Sequence, residues 1–403
     1  MGRLYLLISI SFWLATTDVR SELRETVTPI HAIGMGGAFT AIANDDASIW
    51  SNPAGVARVR KARSKSGLHL LKLPNITAAS NPAGKSYVSA LASPASAASD
   101  VISTSNTSSD QPAFAEATAF PVGFFDIGRN SPMAVGALAS TKIGTFVNSD
   151  TPTDAHVSAI TDAAAVITIG FASPSNRVNF GINVRPTSRY AYDSSVPIDD
   201  AKDKTTMRKN FTSDAGKGSG VGIDAGGLFT LADFWFPTIG ISVLNLPTGC
   251  QTATNPYSNS EQSICGTKFN LNGNFFDPMQ AIDPTDIRAG LSISPRITRN
   301  LSFRLAADVH HYYLKSGTSY YGLSNVDAGK LVHAGGEIFY GNPLSANPII
   351  SVRAGVNQTF LTFGVSVRLG VLALDFASYG VDTSITATPT EDRRTSAGLS
   401  LFF

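Results

Sequence analysis

The sequence has little charge, few cysteines and few long apolar runs. Asp, Glu, Lys and Arg make up 15% of its 403 residues, against roughly 25% in an ordinary soluble domain, so a surface that faces water on all sides is not expected. Its 31 basic and 30 acidic residues give a net charge of +1 and form no strongly basic block, which argues against nucleic-acid binding. The 2 cysteines form no disulfide scaffold and lack metal-ligand spacing. We expect no cofactor and no metal.

The apolar run Leu4 to Ala15 follows Arg3 and precedes the small residue Ser21. About 18 apolar residues are needed to span a bilayer, and this run is shorter. We therefore expect a secretory signal peptide over residues 1–21, with a membrane anchor or a buried helix as the alternative.

Downstream segments alternate apolar and polar residues with a period of two. In Thr359 to Leu369 the apolar face alternates with a polar one that carries Thr362, Ser366 and Arg368. An exported chain without a membrane helix can cross a membrane only as a closed barrel. The pattern predicts an all-β fold, a transmembrane antiparallel β-barrel of about 14 strands over residues 64–403. The strands are expected at 66–73, 114–124, 132–141, 163–172, 177–186, 220–230, 238–246, 287–294, 301–310, 331–340, 349–356, 359–369, 371–380 and 394–403.

Short and long connections alternate between these strands, with one exception among the long ones. Outer-membrane barrels have short periplasmic turns and long external loops, so both chain ends are expected in the periplasm. A soluble β-sandwich is the alternative, but its outward face would carry more charge. The closing strand ends on Phe402 and Phe403, and a terminal aromatic on an amphipathic strand resembles the assembly signal of outer-membrane barrels.

The strand phases place eight charged side chains in the lumen with an excess of basic charge, and among apolar side chains only Phe339 and Leu244. The charged residues are Arg185, Arg288, Arg304, Arg353, Arg368, Asp308, Glu337 and Asp375. Asp308 and His310 share this face with Ser302, but no nucleophile elbow accompanies them. We expect no catalytic residues, and an aromatic girdle at His310 to Tyr313 opposite one at Trp235 and Phe236.

Residues 31–55 carry a distinctive series of motifs. They are the glycines Gly34, Gly36 and Gly37, then Asp45-Asp46-Ala47, then Asn52-Pro53-Ala54. In this order and spacing they resemble the amino-terminal segment of the FadL-like outer-membrane family, which includes long-chain fatty-acid transporters and PorV-type secretion proteins. The resemblance implies a fourteen-stranded barrel whose lumen is filled by a plug at residues 22–63. Residues 74–113 match no substrate-catching loop of the family.

The predicted plug carries two carboxylates, Asp45 and Asp46, that could neutralise lumenal arginines. Alternatively, they cap a short helix that begins near Ala47. Asn52-Pro53 is a turn former in either case. Cys250 and Cys265 fall in one long external connection, where thiols oxidise, so we expect a disulfide between them.

Two functions remain open. The first is an outer-membrane channel for passive uptake of hydrophobic small molecules such as long-chain fatty acids. The alternative is a PorV-like component of protein secretion or assembly that binds protein partners. Either would contact outer-membrane lipids and the barrel-assembly machinery, and neither is an enzyme.

Overall fold

The computed structural model describes residues 22, 25–59, 68–84, 113–128, 130–147, 153–254, 261–273, 278–311, 328–340, 348–383 and 389–403. The predicted signal peptide lies outside these residues. Within the described ranges, no helix has the length and apolar character needed to cross a membrane.

Most of the described chain is β-strand. Fifteen strands form one antiparallel sheet, in which β18 also pairs with β1 and closes the wall, and three strands form a separate sheet. The strands are β1 (Leu68–Ser80), β2 (Ala113–Ala119), β3 (Val122–Gly128), β4 (Ser131–Val147), β5 (Asp154–Ala172), β6 (Val178–Pro197), β7 (Gly216–Thr230), β8 (Thr238–Leu244), β9 (Gly249–Thr254), β10 (Glu261–Lys268), β11 (Ile282–Pro284), β12 (Asp286–Ile293), β13 (Leu301–Val309), β14 (Val332–Tyr340), β15 (Ile350–Asn357), β16 (Phe360–Leu369), β17 (Leu372–Asp382) and β18 (Glu391–Phe402).

Strands β2 and β3 are two halves of one wall strand, because each pairs with both β1 and β4. The ladder is interrupted at Phe120 and Pro121, where proline has no N–H to donate. Counting the two halves as one leaves 14 wall strands. The predicted fourteen-stranded antiparallel barrel is therefore confirmed.

The helices are short. They are α1 (Ile30–Gly34), α2 (Ser48–Ser51), α3 (Ile198–Lys202) and α4 (Lys204–Asp214), with 3-10 turns at Pro53–Arg58, Pro82–Gly84, Pro278–Ala281 and Ala328–Leu331. The first two lie in the amino-terminal segment, and α3 and α4 lie in the external connection between β6 and β7.

The two faces of the wall differ as the alternation predicts. Outward side chains such as Ile182 and Phe363 are 50% and 55% exposed, whereas the inward Arg185 is 4% exposed. Strands β4, β5 and β6 extend further on the external side than predicted. The prediction ended them early because protein covers both faces of their external ends, so apolar and polar residues no longer alternate there. Strand β1 continues to Ser80. The first residues of the stretch 74–113, which follows the predicted first strand, therefore belong to the wall.

The external connection between β8 and β12 contains the small sheet β9–β10–β11, which the sequence did not predict. Strands β9 and β10 pair antiparallel with Cys250 opposite Cys265. The two cysteines are joined by a disulfide.

Candidate functional site

Residues 25–59, here called the inner segment, lie inside the barrel. The segment follows the wall from β18 to β8, crosses the lumen so that Asp46 reaches Lys72 on β1, and returns along β7, β6 and β5. Its successive close contacts with wall glycines are Ile30 with Gly398, Gly34 with Gly364, Thr40 with Gly240, Pro53 with Gly181 and Ala57 with Gly170. Its apolar side chains are buried, and those of Met35, Phe39 and Ile49 are 0% exposed. The segment therefore packs against the inner face of the wall at strands on several sides of the barrel.

The wall glycines allow backbone to lie on backbone. A Cβ at Gly240 would lie 2.4 Å from the carbonyl oxygen of Thr40, and one at Gly181 would lie 2.2 Å from that of Pro53. Contacts this short are closer than any side chain tolerates, so a larger residue must displace the inner segment.

The motif glycines of the inner segment have their own geometric reason. Gly36 and Gly37 have φ of 70° and 84°, a region that favours glycine. A Cβ at Gly36 would also lie 2.5 Å from the carbonyl oxygen of Ala334 on β14. Both glycines form the turn that follows α1.

Two polar side chains fix the inner segment to the wall. The Asn52 amide nitrogen donates to the carbonyl oxygens of Thr40 (2.9 Å) and Gly227 (3.1 Å), while its oxygen accepts from the Ala54 N–H. From the wall, Asp308 Oδ2 accepts from the N–H groups of Phe39 (2.7 Å) and Thr40 (2.6 Å). The motif Asn52-Pro53-Ala54 thus forms a turn and an anchor together.

Asp45 and Asp46 contact partners other than the predicted arginines. Asp45 Oδ2 lies 2.6 Å from His31 Nδ1, and Asp46 bonds to Lys72 and accepts from Asn75 Nδ2 at 2.9 Å. Wall carboxylates pair with most of these arginines, and the carboxylate of the inner segment that reaches one of them is Glu25, 3.1 Å from Arg288. Asp45 Oδ1 also accepts from the Ala47 N–H (2.9 Å) just before α2, as the capping alternative expects.

His31 connects the inner segment to the wall, since its Nε2 lies 3.1 Å from Glu337 Oε1 on β14. Burial and Arg353 lower the pKa of the His31 imidazole, but Glu337 and Asp45 outweigh them and raise it above its ordinary value. Burial raises the pKa of the Asp45 carboxyl, yet His31 and Lys72 outweigh burial and lower it. The pair is therefore favoured in its charged form.

Four of the predicted lumenal arginines are paired with wall carboxylates, and Arg288 also lies 3.1 Å from Glu25 of the inner segment. Glu337 accepts from Arg304 (3.0 Å) and Arg353 (2.9 Å). Arg288 Nε lies 2.6 Å from Asp286, and Arg185 Nε lies 3.1 Å from Asp224. At the periplasmic end Arg368 donates to the Gly370 carbonyl oxygen (3.1 Å), and Asp375 accepts from Ser366.

Arg189 was missed by the sequence analysis. It is 2% exposed and lies 2.7 Å from Asp162 on β5 and 2.8 Å from Asp283 on β11, so it ties the external connection to the wall. Arg189 shares the phase of Arg185. Had the predicted strand 177–186 been extended to the length of β6, it would have placed Arg189 in the lumen.

One sector of the lumen is apolar, and the sequence analysis also missed it. Along β3, β4 and β5 the inward Phe124, Leu138 and Val166 pack with Trp50 and Val56 of the inner segment. Trp50 lies edge-on to Phe120 with ring centroids 4.9 Å apart. Both faces of these strands are apolar, so alternation could not reveal which residues face inward.

A cavity of about 100 Å³ opens where the apolar sector meets the periplasmic end of the lumen. Its apolar border includes Trp50 and Phe120, and its basic border includes Lys72, Arg353 and Arg368. Arg353 is 2% exposed and its Nη1 has no hydrogen-bond partner among the described residues. The cavity therefore has an apolar side and a basic side, and Arg353 on the basic side keeps one N–H group without a hydrogen bond among the described residues.

The predicted external girdle is wrong at its first two positions. His310 and His311 are 1% and 5% exposed, because His310 continues the lumenal face of Ser302 and Asp308 and stacks on His333 with centroids 3.9 Å apart, and the His311 N–H donates to Asp286. Tyr312 and Tyr313 lie outside the described residues. At the periplasmic turn Trp235 is 50% exposed and stacks on Phe234.

His310 Nε2 lies 3.6 Å from Asp308 Oδ2, which is beyond hydrogen-bond distance, and that oxygen already accepts two backbone N–H groups. This arrangement is structural. In the part of the chain that the structure describes, no group of three or more His, Cys, Asp or Glu residues could hold a metal ion.

No protein-family model and no curated protein matches the sequence. Solved structures match along most of the chain. A mutant of the monoaromatic hydrocarbon channel TodX has a TM-score of 0.50 and 12% identity, with 93% of this chain and 97% of that chain covered. The fold is that of the FadL-like outer-membrane channels. The toluene transporter TbuX of Ralstonia pickettii likewise has a TM-score of 0.50 and 11% identity, with 94% and 98% covered.

Proposed function

We propose that this chain is an outer-membrane channel for passive uptake of hydrophobic small molecules, with the inner segment as its plug. The observation that carries the proposal is the continuous apolar sector of Phe124, Leu138, Val166 and Trp50, which leads to the cavity. A buried apolar surface beside a few polar groups is typical of sites that bind hydrophobic ligands. The fold, shared with hydrocarbon channels, supports the same function.

The cavity is smaller than a typical ligand pocket. Its volume is about 100 Å³, whereas pockets for small molecules usually measure about 300–1,000 Å³. A ligand must therefore widen it. Asp46 borders the cavity and is held by Lys72 and Asn75, so release of Asp46 is the smallest movement that enlarges the space.

Long-chain fatty acids are the substrate class that the border of the cavity favours. Once the cavity widens, their carboxylate would accept from the guanidinium of Arg353, close to Lys72 and Arg368, while the acyl chain lies against Trp50 and Phe120. Charge-assisted hydrogen bonds of this kind are stronger than neutral ones.

Flux into proteoliposomes tests the proposal. The purified chain should admit both radiolabelled toluene and radiolabelled oleate. Trp50→Glu, which puts a charge into the apolar sector, should lower both fluxes about tenfold or more, whereas Trp50→Phe, the matched control, should retain them. Equal fluxes through empty vesicles and vesicles with the native chain would refute the channel function.

A second variant separates the substrate classes. Arg353→Gln should reduce oleate flux and leave toluene flux unchanged if the carboxylate binds at Arg353. If Arg353→Gln leaves both fluxes unchanged, fatty acids are removed from the proposal and neutral hydrocarbons remain as the substrate class. The role in protein secretion stays a prediction, which co-purification from intact outer membranes would test.

A further inference from the structure

The external ends of β4, β5 and β6 carry an apolar patch on their outward face. Ile143, Val157 and Tyr192 point away from the lumen, yet all are buried. Helices α3 and α4 cover them through Ala201 and Met207, and Phe211 stacks on Tyr192 at 4.5 Å. The helix pair therefore lies against the outside of the barrel.

The helix pair marks the external boundary of the lipid-facing band. Lower on the same strands the outward Ile167, Phe171 and Ile182 are 43%, 47% and 50% exposed, as expected of side chains that contact acyl chains. Between the two regions lies Tyr190, outward and 50% exposed, a residue type enriched at membrane–water interfaces. Helix α4 thus lies at the level of the lipid headgroups.

Three cations cluster at this level. Arg208 and Lys209 are exposed on α4, beside the buried Met207. Lys217 lies at the external end of β7. Its Nζ is 5.7 Å from the centre of the Tyr190 ring and 3.2 Å from the Thr212 carbonyl oxygen. None of the three is within ion-pair distance of a carboxylate in the described ranges.

The acidic residues near α4 do not pair with these three cations. Asp203 is the N-cap of α4 and accepts from the N–H groups of Thr205 and Thr206, both at 3.1 Å. The Thr206 hydroxyl, which also donates to Asp203, and these two N–H groups lower the pKa of the Asp203 carboxyl. Asp199 and Asp200 lie in α3, before this cap.

A shallow groove of about 520 Å³ opens on the wall at Ser219, two residues after Lys217 on the same strand. The outward Ala163, Ser188 and Ser219 belong to three adjacent strands, and Lys268 borders the groove as well. Small side chains leave room for an acyl chain or a sugar. The surface therefore combines a recess, hydroxyl groups and cations where the bilayer meets water.

We propose that this surface binds the phosphorylated headgroup of an outer-leaflet glycolipid of the lipid A type. Arg208, Lys209 and Lys217 contact its phosphates, and the groove over Ala163, Ser188 and Ser219 accommodates an acyl chain or a sugar. Cations near a membrane surface attract anionic lipids with an energy that adds up over the residues. The proposal depends on the barrel lying in the outer membrane and not on the molecule that it transports.

Native mass spectrometry of the full chain with lipid A tests the site. The variant Arg208→Gln/Lys209→Gln/Lys217→Gln should bind lipid A at least about tenfold more weakly than the native chain. The matched control Arg177→Gln/Arg296→Gln/Arg299→Gln removes the same charge at the periplasmic turns and should bind normally. Heat-modifiable migration should show that all three proteins are folded.

The phosphates are tested with dephosphorylated lipid A, which should bind the native chain as weakly as lipid A binds the triple variant. Millimolar inorganic phosphate should not displace lipid A. The proposal is overturned if the triple variant binds lipid A normally, if the periplasmic control loses binding equally, or if the phosphates make no difference. Displacement by inorganic phosphate would show a free-anion site in its place.

Discussion

The lumen wall has two sectors that hold the inner segment by different forces. Along β12 to β15, buried arginines share carboxylates with each other and with His31, as at Glu337. Along β3 to β5, Leu138 and Val166 contact Trp50 and Val56 without any charge. The charged sector fixes the position of the segment through directional bonds, whereas the apolar sector excludes water and leaves a surface that a hydrophobic ligand can share.

The largest effect is expected from breaking the charged sector at Glu337. Glu337→Gln leaves Arg304, Arg353 and His31 without their shared buried carboxylate, and removing one partner of such a pair costs about 3–5 kcal/mol. The urea midpoint of the folded barrel should fall accordingly. Glu391→Gln is the control, because the Glu391–Arg393 pair is about one-third exposed and worth roughly 0–1 kcal/mol. Equal midpoints for the two variants would contradict the assignment.

The apolar sector should respond to loss of volume. Leu138 is 3% exposed, and Leu→Ala at a buried position costs about 2–5 kcal/mol. We expect Leu138→Ala to destabilise the barrel in urea and to increase the flux of toluene, because free volume opens in the apolar sector that contains Trp50. Leu231→Ala, at a position 62% exposed in a periplasmic turn, should change neither measurement. A fall in toluene flux through Leu138→Ala would oppose the proposed role of this sector.

Contact between the inner segment and the wall can be tested at Gly240. A valine there would overlap the Thr40 carbonyl oxygen, and overpacking costs about 1–3 kcal/mol. Because the interstrand ladder holds the wall, Gly240→Val should displace the segment and raise single-channel conductance while the barrel stays folded. Ala165→Val adds bulk to the outward face of β5 and should leave conductance unchanged. Native conductance in Gly240→Val would place the segment outside the conducting path.

The smallest effect is a pH dependence of the His31 contacts. The folded-state pKa of His31 is raised, so its contribution to docking is complete below the unfolded pKa of about 6.5 and is lost as pH rises through the raised value. The pKa of Asp45 is lowered, so its contribution is complete above about pH 4 and is lost as pH falls through the lowered value.

Tryptic cleavage after Arg58 should therefore accelerate as pH rises above the folded-state pKa of His31, once corrected for the pH dependence of trypsin itself. His31→Gln should remove this rise, since glutamine does not titrate. A native cleavage rate that does not change over that range would disprove the contribution of His31.

Much of the wall followed from the sequence, since strands such as β16 alternate cleanly between lipid and lumen. The lumenal positions of Arg304, Glu337 and Arg353 were predictable for the same reason. Arg189 was missed because the strand continues past the lipid band, where the outward residues pack on α4 and the alternation fades. The apolar sector was missed because Leu138 and Val135 are apolar on opposite faces of β4.

The sequence by itself determined the period and the number of wall strands, because these depend on local alternation. The tertiary structure decided which groups meet. Asp45 pairs with His31 and Asp46 with Lys72, whereas the carboxylate of the segment that reaches a lumenal arginine is Glu25, beside Arg288. Such pairings depend on the path of the chain across the lumen, which no local pattern specifies.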